Sequence, residues 1–404
     1  MRGARLNPKS SVARRGFTMV ELMVAAGLAA ILMVALFRLL DTTLDMWTRG
    51  EDQRLIVERG AATAELMAED LRSLHSGAQG DFLVDWVNFD VDQDGRVDRV
   101  WPRLRLVRSV SMADVVRLSA RGVDPALVAQ AANLGVDVET LIPEDQRPTP
   151  AIQSGLMEVA WAVVPVGTDA LSRGQGLLMR GEALLAPGSV GTFFRSDFFS
   201  SSGRPKAGGL EEVSGGLLGL GLQFATQTSI IWDGWELGAG LEHASASWDA
   251  WGRSSDDPLC PDWQAHPWNK PGAGMPAVSG SPLLPRRVRV ELEFERPADL
   301  RRRPTLLEPL EKQTASFEVS DGSALPYRKG RHILIDGEWM EVQGLRGDRV
   351  SVKRAARGSA AMPHDIGARV HFGETVVVEV PVAMHSDDWN LGRPASSTRL
   401  GSGR

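Results

Sequence analysis

An apolar run covers residues 17–37, and Glu21 is its only charged position. As a helix, this run is long enough to cross the ~30 Å hydrocarbon core of a bilayer. From residue 41 to about residue 75, apolar positions recur at helical spacing among charged ones, and no proline interrupts them. The pattern predicts one long N-terminal helix over residues 17–75, with a transmembrane part at residues 17–37.

Short runs with strand-like alternation replace the helical pattern after residue 76. The predicted strands cover residues 82–89, 97–107, 156–164, 176–185, 217–224, 228–237 and 288–294. Residues 112–141 have helical spacing broken by glycines, and they predict a small helical excursion without an assigned function. Together these elements predict the α+β class, with the long helix packed on the antiparallel sheet of a globular domain at residues 76–298.

Residues 299–372 have the character of an insertion into that domain. The stretch RHILIDGEWMEVQGLRGDRVSVKRAARGSAAMPHDIGARV resembles a small β module that recurs in phage tail proteins and other surface proteins. Alternation of Ile333, Ile335, Trp339 and Val342 predicts a compact barrel or sheet. Residues 373–384 would then return as the final strand of the globular domain, and residues 385–404 are expected to form a flexible tail.

Two polar residues of this module, Glu338 and His364, invite a catalytic interpretation. No nucleophile or third partner accompanies them in the sequence, so we expect a structural hydrogen bond instead. Elsewhere the chain has no hydrolase, metalloprotease or phosphate-binding motif. Enzyme activity is therefore not expected.

The first sixteen residues carry only basic charges, at Arg2, Arg5, Lys9, Arg14 and Arg15. By the positive-inside rule, this segment stays in the cytoplasm and the chain after the apolar run lies outside. Loss of these five positive charges would take the formal net charge from −6 to −11. An acidic protein of this kind lacks the basic surface expected of a nucleic-acid binder. The single cysteine excludes an intramolecular disulfide.

Gly16, Phe17 and Glu21 form a processing and assembly pattern at the start of the apolar run. An acid within a membrane helix costs roughly 2.5–3.5 kcal/mol at the bilayer centre, so its presence calls for a partner. Cleavage after Gly16 would supply one, because it would free the α-amino group of Phe17. Glu21 of a neighbouring copy would neutralise that cation when the helices pack in a stagger.

The stretch RRGFTMVELMVAAGLAAILMVALF resembles the N-terminal segment of type IV pilins and type II secretion pseudopilins. The resemblance implies that a prepilin peptidase removes residues 1–16, that Phe17 is methylated, and that Glu21 guides assembly. An ordinary signal anchor is the alternative. Its cleavage site, if present, would follow the apolar region instead of preceding it.

A second resemblance involves Trp232, Trp235, Trp248, Trp251 and the LPxxVxxxL strand at residues 284–292. Together these features resemble the J-type minor pseudopilin, in which a tryptophan-bearing segment leads into such a strand. We expect the tryptophans to be core and loop anchors. A platform for sugars or aromatic ligands is the alternative.

Residues 90–98 form a candidate calcium loop. Asp90, Asp92 and Asp94 alternate before a glycine, as in the first half of an EF-hand loop, and Asp98 stands at the ninth position. The backbone carbonyl of Arg96 would be the fifth oxygen. The twelfth position is a tryptophan where an EF-hand has a bidentate glutamate, and the flanks are predicted strands. A polar turn in a hairpin is the alternative.

These features predict a minor pseudopilin at the tip of a short periplasmic pseudopilus of a type II secretion system. The expected partners are the prepilin peptidase, other minor and major pseudopilins and the inner membrane, without nucleic acid. The expected location is the bacterial inner membrane, with a single span and a periplasmic C-terminal domain. Two alternatives remain: a minor pilin of a type IV pilus, and a binding or hydrolytic domain on a pilin-type anchor.

Overall fold

A computed structural model of the chain describes residues 18–91, 99–110, 130, 133–136, 155–167, 175–185, 192–200, 203–206, 209–225, 247–253, 257, 259, 282–295, 303–325, 330–357 and 359–382. The chain divides into two compact units, Met1–Arg54 and Leu55–Arg404. Of the predicted elements, the strand at residues 228–237, nearly all of the excursion at 112–141 and the tail at 385–404 lie outside the described residues.

One long helix, α1, covers Met19–Arg72 and runs through both units. At 1.5 Å per residue it is roughly 80 Å long. Its first part is apolar and long enough to cross a membrane, and the residues of that part are exposed. The helix ends three residues before the predicted boundary because Leu74 leaves it to form a β-bridge with Arg108.

Within the residues that the structure describes, thirteen strands follow the helix. The first seven are β1 (Phe82–Phe89), β2 (Arg99–Ser109), β3 (Leu156–Pro165), β4 (Gly176–Leu184), β5 (Glu211–Ala225), β6 (Trp248–Asp249) and β7 (Arg287–Glu295). The others are β8 (Ser316–Glu318), β9 (His332–Ile335), β10 (Glu338–Arg346), β11 (Arg349–Ala356), β12 (Val370–His371) and β13 (Gly373–Pro381). The main sheet has eight strands in the order β13-β7-β5-β4-β3-β2-β1-β6, and all neighbours are antiparallel. The predicted α+β class, with a long helix and an antiparallel sheet, is confirmed.

The last turns of α1 pack on this sheet through small and apolar side chains. The buried apolar side chains of the helix are Ile56, Ala64, Met67, Ala68 and Leu71. Gly60 allows the closest approach, because a Cβ at this position would lie 2.6 Å from Cγ2 of Val376 and 3.3 Å from the Phe294 ring. Removal of this apolar surface from water holds the helix end on the sheet, at about 25 cal/mol per Å² buried.

A buried ionic network also joins the helix to the sheet. Asp70 of α1 accepts hydrogen bonds from Arg180 Nε at 2.8 Å, Arg180 Nη2 at 2.7 Å and Trp161 Nε1 at 2.9 Å. Arg180 also pairs with Glu182, and its guanidinium lies 5.5 Å from the Trp161 ring centroid. These contacts give the Asp70 carboxylate a cation and hydrogen-bond donors, which it needs because burial of an unpaired charge is costly.

The five strands β12-β9-β10-β11-β8 form a second antiparallel sheet with its own core. Its strands lie between β7 and β13 in the sequence, although β7 and β13 pair along their full length in the main sheet. The small sheet is therefore an insertion between two neighbouring strands. Phe372 alone separates β12 from β13 and is buried in the core of the small sheet.

Trp339 connects this small sheet to the main sheet. It lies outside the core that contains Ile333 and Ile335, and it packs over Gly219 of β5. Glu338 and Met340 are the fully buried neighbours on β10. The guanidinium of Arg357 stacks 4.4 Å from the Trp339 ring centroid, and this pairing keeps the indole at the junction with the main sheet.

Candidate functional site

Thr18 and Glu21 form a reciprocal capping box at the start of α1. The Thr18 amide donates to Glu21 Oε2 at 2.9 Å, and the Thr18 hydroxyl lies 3.0 Å from the same oxygen. In return, the Glu21 amide donates to the Thr18 hydroxyl at 3.2 Å. Two helix donors that lack intrahelical partners are thus satisfied by the Thr-x-x-Glu spacing.

This geometry gives Glu21 a role that the sequence analysis missed, although the Thr-x-x-Glu pattern was legible in the sequence. The carboxylate lies at the positive end of the helix dipole, which favours a negative charge there. Both bonds use Oε2. Among the described residues, no hydrogen bond is made to Oε1, so the cap is compatible with the predicted pairing to an α-amino group.

An exposed apolar surface follows the cap. No charged residue occurs between Glu21 and Arg38, and the large side chains of this stretch are 52–69% exposed. A Cβ at Gly27 would meet nothing within 4 Å. An exposed apolar surface of this extent needs lipid or other helices to cover it.

The predicted processing residues Gly16 and Phe17 lie outside the described residues, so both remain predictions. Of the candidate calcium ligands, Asp92, Asp94, Arg96 and Asp98 also lie outside them.

The flanks of the calcium loop are nevertheless described. Phe89 of β1 pairs with Arg99 of β2, so the two ends of the 90–98 loop meet as in a hairpin. Asp90, the first candidate ligand, is exposed at the start of this loop. Within the described ranges, no three His, Cys, Asp or Glu residues are grouped to hold a metal. A calcium site at 90–98 stays a prediction.

Trp248 and the LPxxVxxxL strand belong to one core. Trp248 is fully buried, donates from Nε1 to the Leu283 carbonyl at 2.9 Å, and lies 5.3 Å from the Phe224 ring. Leu284, Val288 and Leu292 are also fully buried. Trp248 is thus a core anchor, as expected, whereas Trp232 and Trp235 lie outside the described residues.

Glu338 and His364 share the expected hydrogen bond, at 3.0 Å, in the core of the small sheet. Glu338 also accepts two bonds from Arg354 at 2.6 Å, and His364 contacts Asp336 at 2.7 Å. Burial opposes ionisation of Glu338, yet the bonds from Arg354 and His364 lower its pKa to about 2. Burial likewise opposes protonation of His364, but its two carboxylate partners raise its pKa. Glu338, Arg354, His364 and Asp336 therefore form an ionic cluster in which each side chain is paired with another.

Residues 12–37 match the family described as the prokaryotic N-terminal methylation motif. No curated protein and no solved structure matches the chain. The motif match supports a type IV pilin-like protein, either a pilin or a pseudopilin, anchored in a membrane by a single N-terminal helix. It also implies processing by a prepilin peptidase and assembly with other pilin-type subunits.

Proposed function

We propose that this protein is a minor pseudopilin of a type II secretion system, which assembles at the tip of a short periplasmic pseudopilus. The observation that carries the proposal is the Thr18–Glu21 cap at the start of an exposed apolar helix, inside the methylation motif. The cap supports a Glu21 carboxylate that is held in place and ready to receive the Phe17 amine of a neighbouring subunit.

The size of the C-terminal part supports a place at the tip. An eight-stranded sheet that carries a further five-stranded sheet is a bulky head for a closely packed shaft, where each subunit must fit between its neighbours. A terminal subunit has free space on one side. Trp248 and the LPxxVxxxL strand support the J-type assignment through their resemblance alone.

The proposed role is assembly and not catalysis. Residues 90–98 would hold a calcium ion that stabilises the β1–β2 hairpin, with oxygen ligands of the kind that calcium prefers. The domain after α1 would lie in the periplasm, because the basic residues that precede the span favour a cytoplasmic N-terminus.

Deletion of the gene in its native host tests this assignment. We expect loss of protein export through the secretin with surface pili unchanged, and recovery when the wild-type gene is restored. Loss of surface pili with normal export would instead support a minor pilin. Normal export and normal pili would contradict both filament roles.

A further inference from the structure

The strand β13 forms one edge of the main sheet and pairs with β7 along all of its nine residues. On its other side, no strand of the described residues pairs with it. The register with β7 is continuous, without a bulge. The other strands that end the two sheets, β6, β8 and β12, have only two or three residues each. In the described part of the chain, β13 is therefore the one long sheet edge that stays open.

Backbone groups of every second β13 residue point to this open edge. Val382, directly after the strand, donates its amide to the Arg286 carbonyl at 2.9 Å. Because hydrogen-bond directions alternate along an antiparallel pair, the even-numbered residues of β13 bond to β7 and the odd-numbered ones face outward. Thr375, Val377 and Glu379 therefore each present an amide and a carbonyl to the edge, about 7 Å apart.

The side chains of β13 leave this edge unprotected. Natural edge strands are guarded by lysine, by a bulge or by proline within the strand, whereas residues 375–378 are a threonine and three valines. The single proline, Pro381, is the last residue of the strand and occupies an outward-facing position, where its missing amide removes no bond to β7. Val377 is 43% exposed. An edge of this composition is a template for the addition of another strand.

We propose that the open edge of β13 receives a strand from the globular part of a different pilin-type subunit, so that the main sheet continues from one subunit into the next. The proposal rests on the proposed assembly with such subunits. It adds a contact outside the membrane to the pairing expected at Glu21.

The position of α1 indicates why the partner is another anchored subunit. A Cβ at Gly60 would lie 2.6 Å from Cγ2 of Val376, so the helix packs on the strand that carries the open edge. The motif match implies that the partner subunits have anchoring helices of the same kind. Helices that assemble beside α1 in one membrane would bring their own sheets next to this edge.

Pairing of β13 with β13 of a second copy does not fit this arrangement. Antiparallel pairing of two identical strands places a two-fold axis along the sheet normal. Rotation about this axis turns one α1 end for end relative to the other, because the helix lies on the sheet. Two helices that enter one membrane from the same side are incompatible with that symmetry, so a different subunit is the expected partner.

Burial and charge on β13 define the kind of strand that fits. Val376 and Val378 are half-buried and pack on the core at the helix side of the sheet. Glu379 is exposed and lies on the opposite face, together with Val377. The incoming strand should therefore place apolar residues toward the helix side and a basic residue opposite Glu379, since oppositely charged cross-strand pairs are favourable.

Photocrosslinking of the full-length protein in its native host tests this contact. Benzoylphenylalanine at position 379 should form an adduct with the globular part of a second protein that carries the N-terminal methylation motif. The same probe at Ile366, a 64% exposed position of the small sheet, should give much less of this adduct.

Substitutions at Val377 separate backbone pairing from mere proximity. Val377→Pro removes an outward-facing amide and should lower the adduct yield at least about fivefold, because a carbonyl of the partner strand loses its donor. Val377→Lys, which introduces a charge of the kind that guards natural edges, should lower it as well. Val377→Thr is the matched control, since it keeps the amide and the branched side chain, and its yield should stay close to that of the wild type.

Four results would overturn the proposal: no adduct from position 379, an adduct within the chain or with a second copy of it, an adduct with a protein that lacks the motif, or equal yields from all three Val377 variants. The first three require no substitution other than the probe at an exposed position. Failure of the secretion role would be seen separately, as normal export after deletion of the gene. An adduct with another pilin-type subunit would support the β13 contact even then.

Discussion

Arg303 and Glu295 form a buried, two-pronged ion pair at the point where the small sheet leaves the main sheet. Arg303 Nε and Nη2 each lie 2.7 Å from one Glu295 oxygen, and the two side chains are at most 2% exposed. Gln175 donates to the same carboxylate at 2.8 Å, and His371 Nδ1 lies 3.3 Å from it. Residues from both sheets therefore meet at one carboxylate, which fixes the insertion to its host strands.

Arg303→Ala should lower the free energy of unfolding by about 3–5 kcal/mol, because it leaves Glu295 buried without its main cation. Arg349→Ala is the matched control, since Arg349 pairs with Glu318 at 3.4 Å with both side chains about half exposed. The control substitution should lower the free energy of unfolding by less than about 1 kcal/mol. Denaturant titration of the full-length protein compares them, and equal losses would contradict the anchoring role of Arg303.

Gly60→Ala should destabilise the contact between α1 and the main sheet by about 1–3 kcal/mol, since its Cβ would lie 2.6 Å from a branched valine. Gly50→Ala should instead favour the helix by about 0.5–1 kcal/mol, because a Cβ at Gly50 meets nothing within 4 Å. Thermal unfolding followed by circular dichroism should show opposite shifts. Stabilisation by both substitutions would show that the helix does not pack closely at Gly60.

The Glu338–His364 cluster should make the stability of the small sheet fall both in acid and at alkaline pH. The lowered pKa of Glu338 supplies stability above its ordinary value of 4.5, which is lost as the pH falls toward 2. The raised pKa of His364 supplies stability below 6.5, which is lost as the pH rises through its native value.

The His364→Gln variant isolates the second effect. The free energy of unfolding of the wild type relative to this variant should be largest near about pH 5.5 and should shrink by about pH 8.5. Asp336 and Glu338 would then contact an uncharged side chain at every pH. A difference that stays constant over this range would show that protonation of His364 does not contribute.

Much of this fold follows from local pattern. The long helix, the strands at 82–89 and 288–294, and the return of the chain as a last strand are set by periodicity and burial of alternate residues. The Thr18–Glu21 cap was equally local, since a threonine three residues before a glutamate is sufficient to recognise it.

Contacts between distant residues could not be read in this way. Asp70 contacts Arg180 only once the sheet has assembled, and the same holds for the contacts of Glu295 with Arg303 and Gln175. The position of Trp339 at the junction of the two sheets likewise depends on a distant contact. Its burial partner, Gly219, belongs to the other sheet.

If the 90–98 loop binds calcium, the ion should raise the melting temperature of the wild type. A calcium concentration one hundred times the dissociation constant should add about 2.7 kcal/mol to the free energy of unfolding. Asp92→Ala and Asp94→Ala should abolish this effect because each removes a predicted ligand. Glu65→Ala, an exposed acid on α1, should preserve it. An unchanged melting temperature of the wild type with saturating calcium would indicate that residues 90–98 form only a polar hairpin turn and bind no calcium.

We propose that the chain is cut after Gly16 and that Glu21 then directs its assembly. Glu21→Ala should permit cleavage but reduce crosslinking to other pseudopilins, whereas Glu51→Ala on the same helix should leave both unchanged. The most direct measurement is the intact mass of the protein produced with its prepilin peptidase. We predict a chain that begins at Phe17 and carries one added methyl group, with no cleavage when Gly16 is replaced by a bulky residue. An uncut wild-type chain, or one cut after the apolar run, would contradict the account.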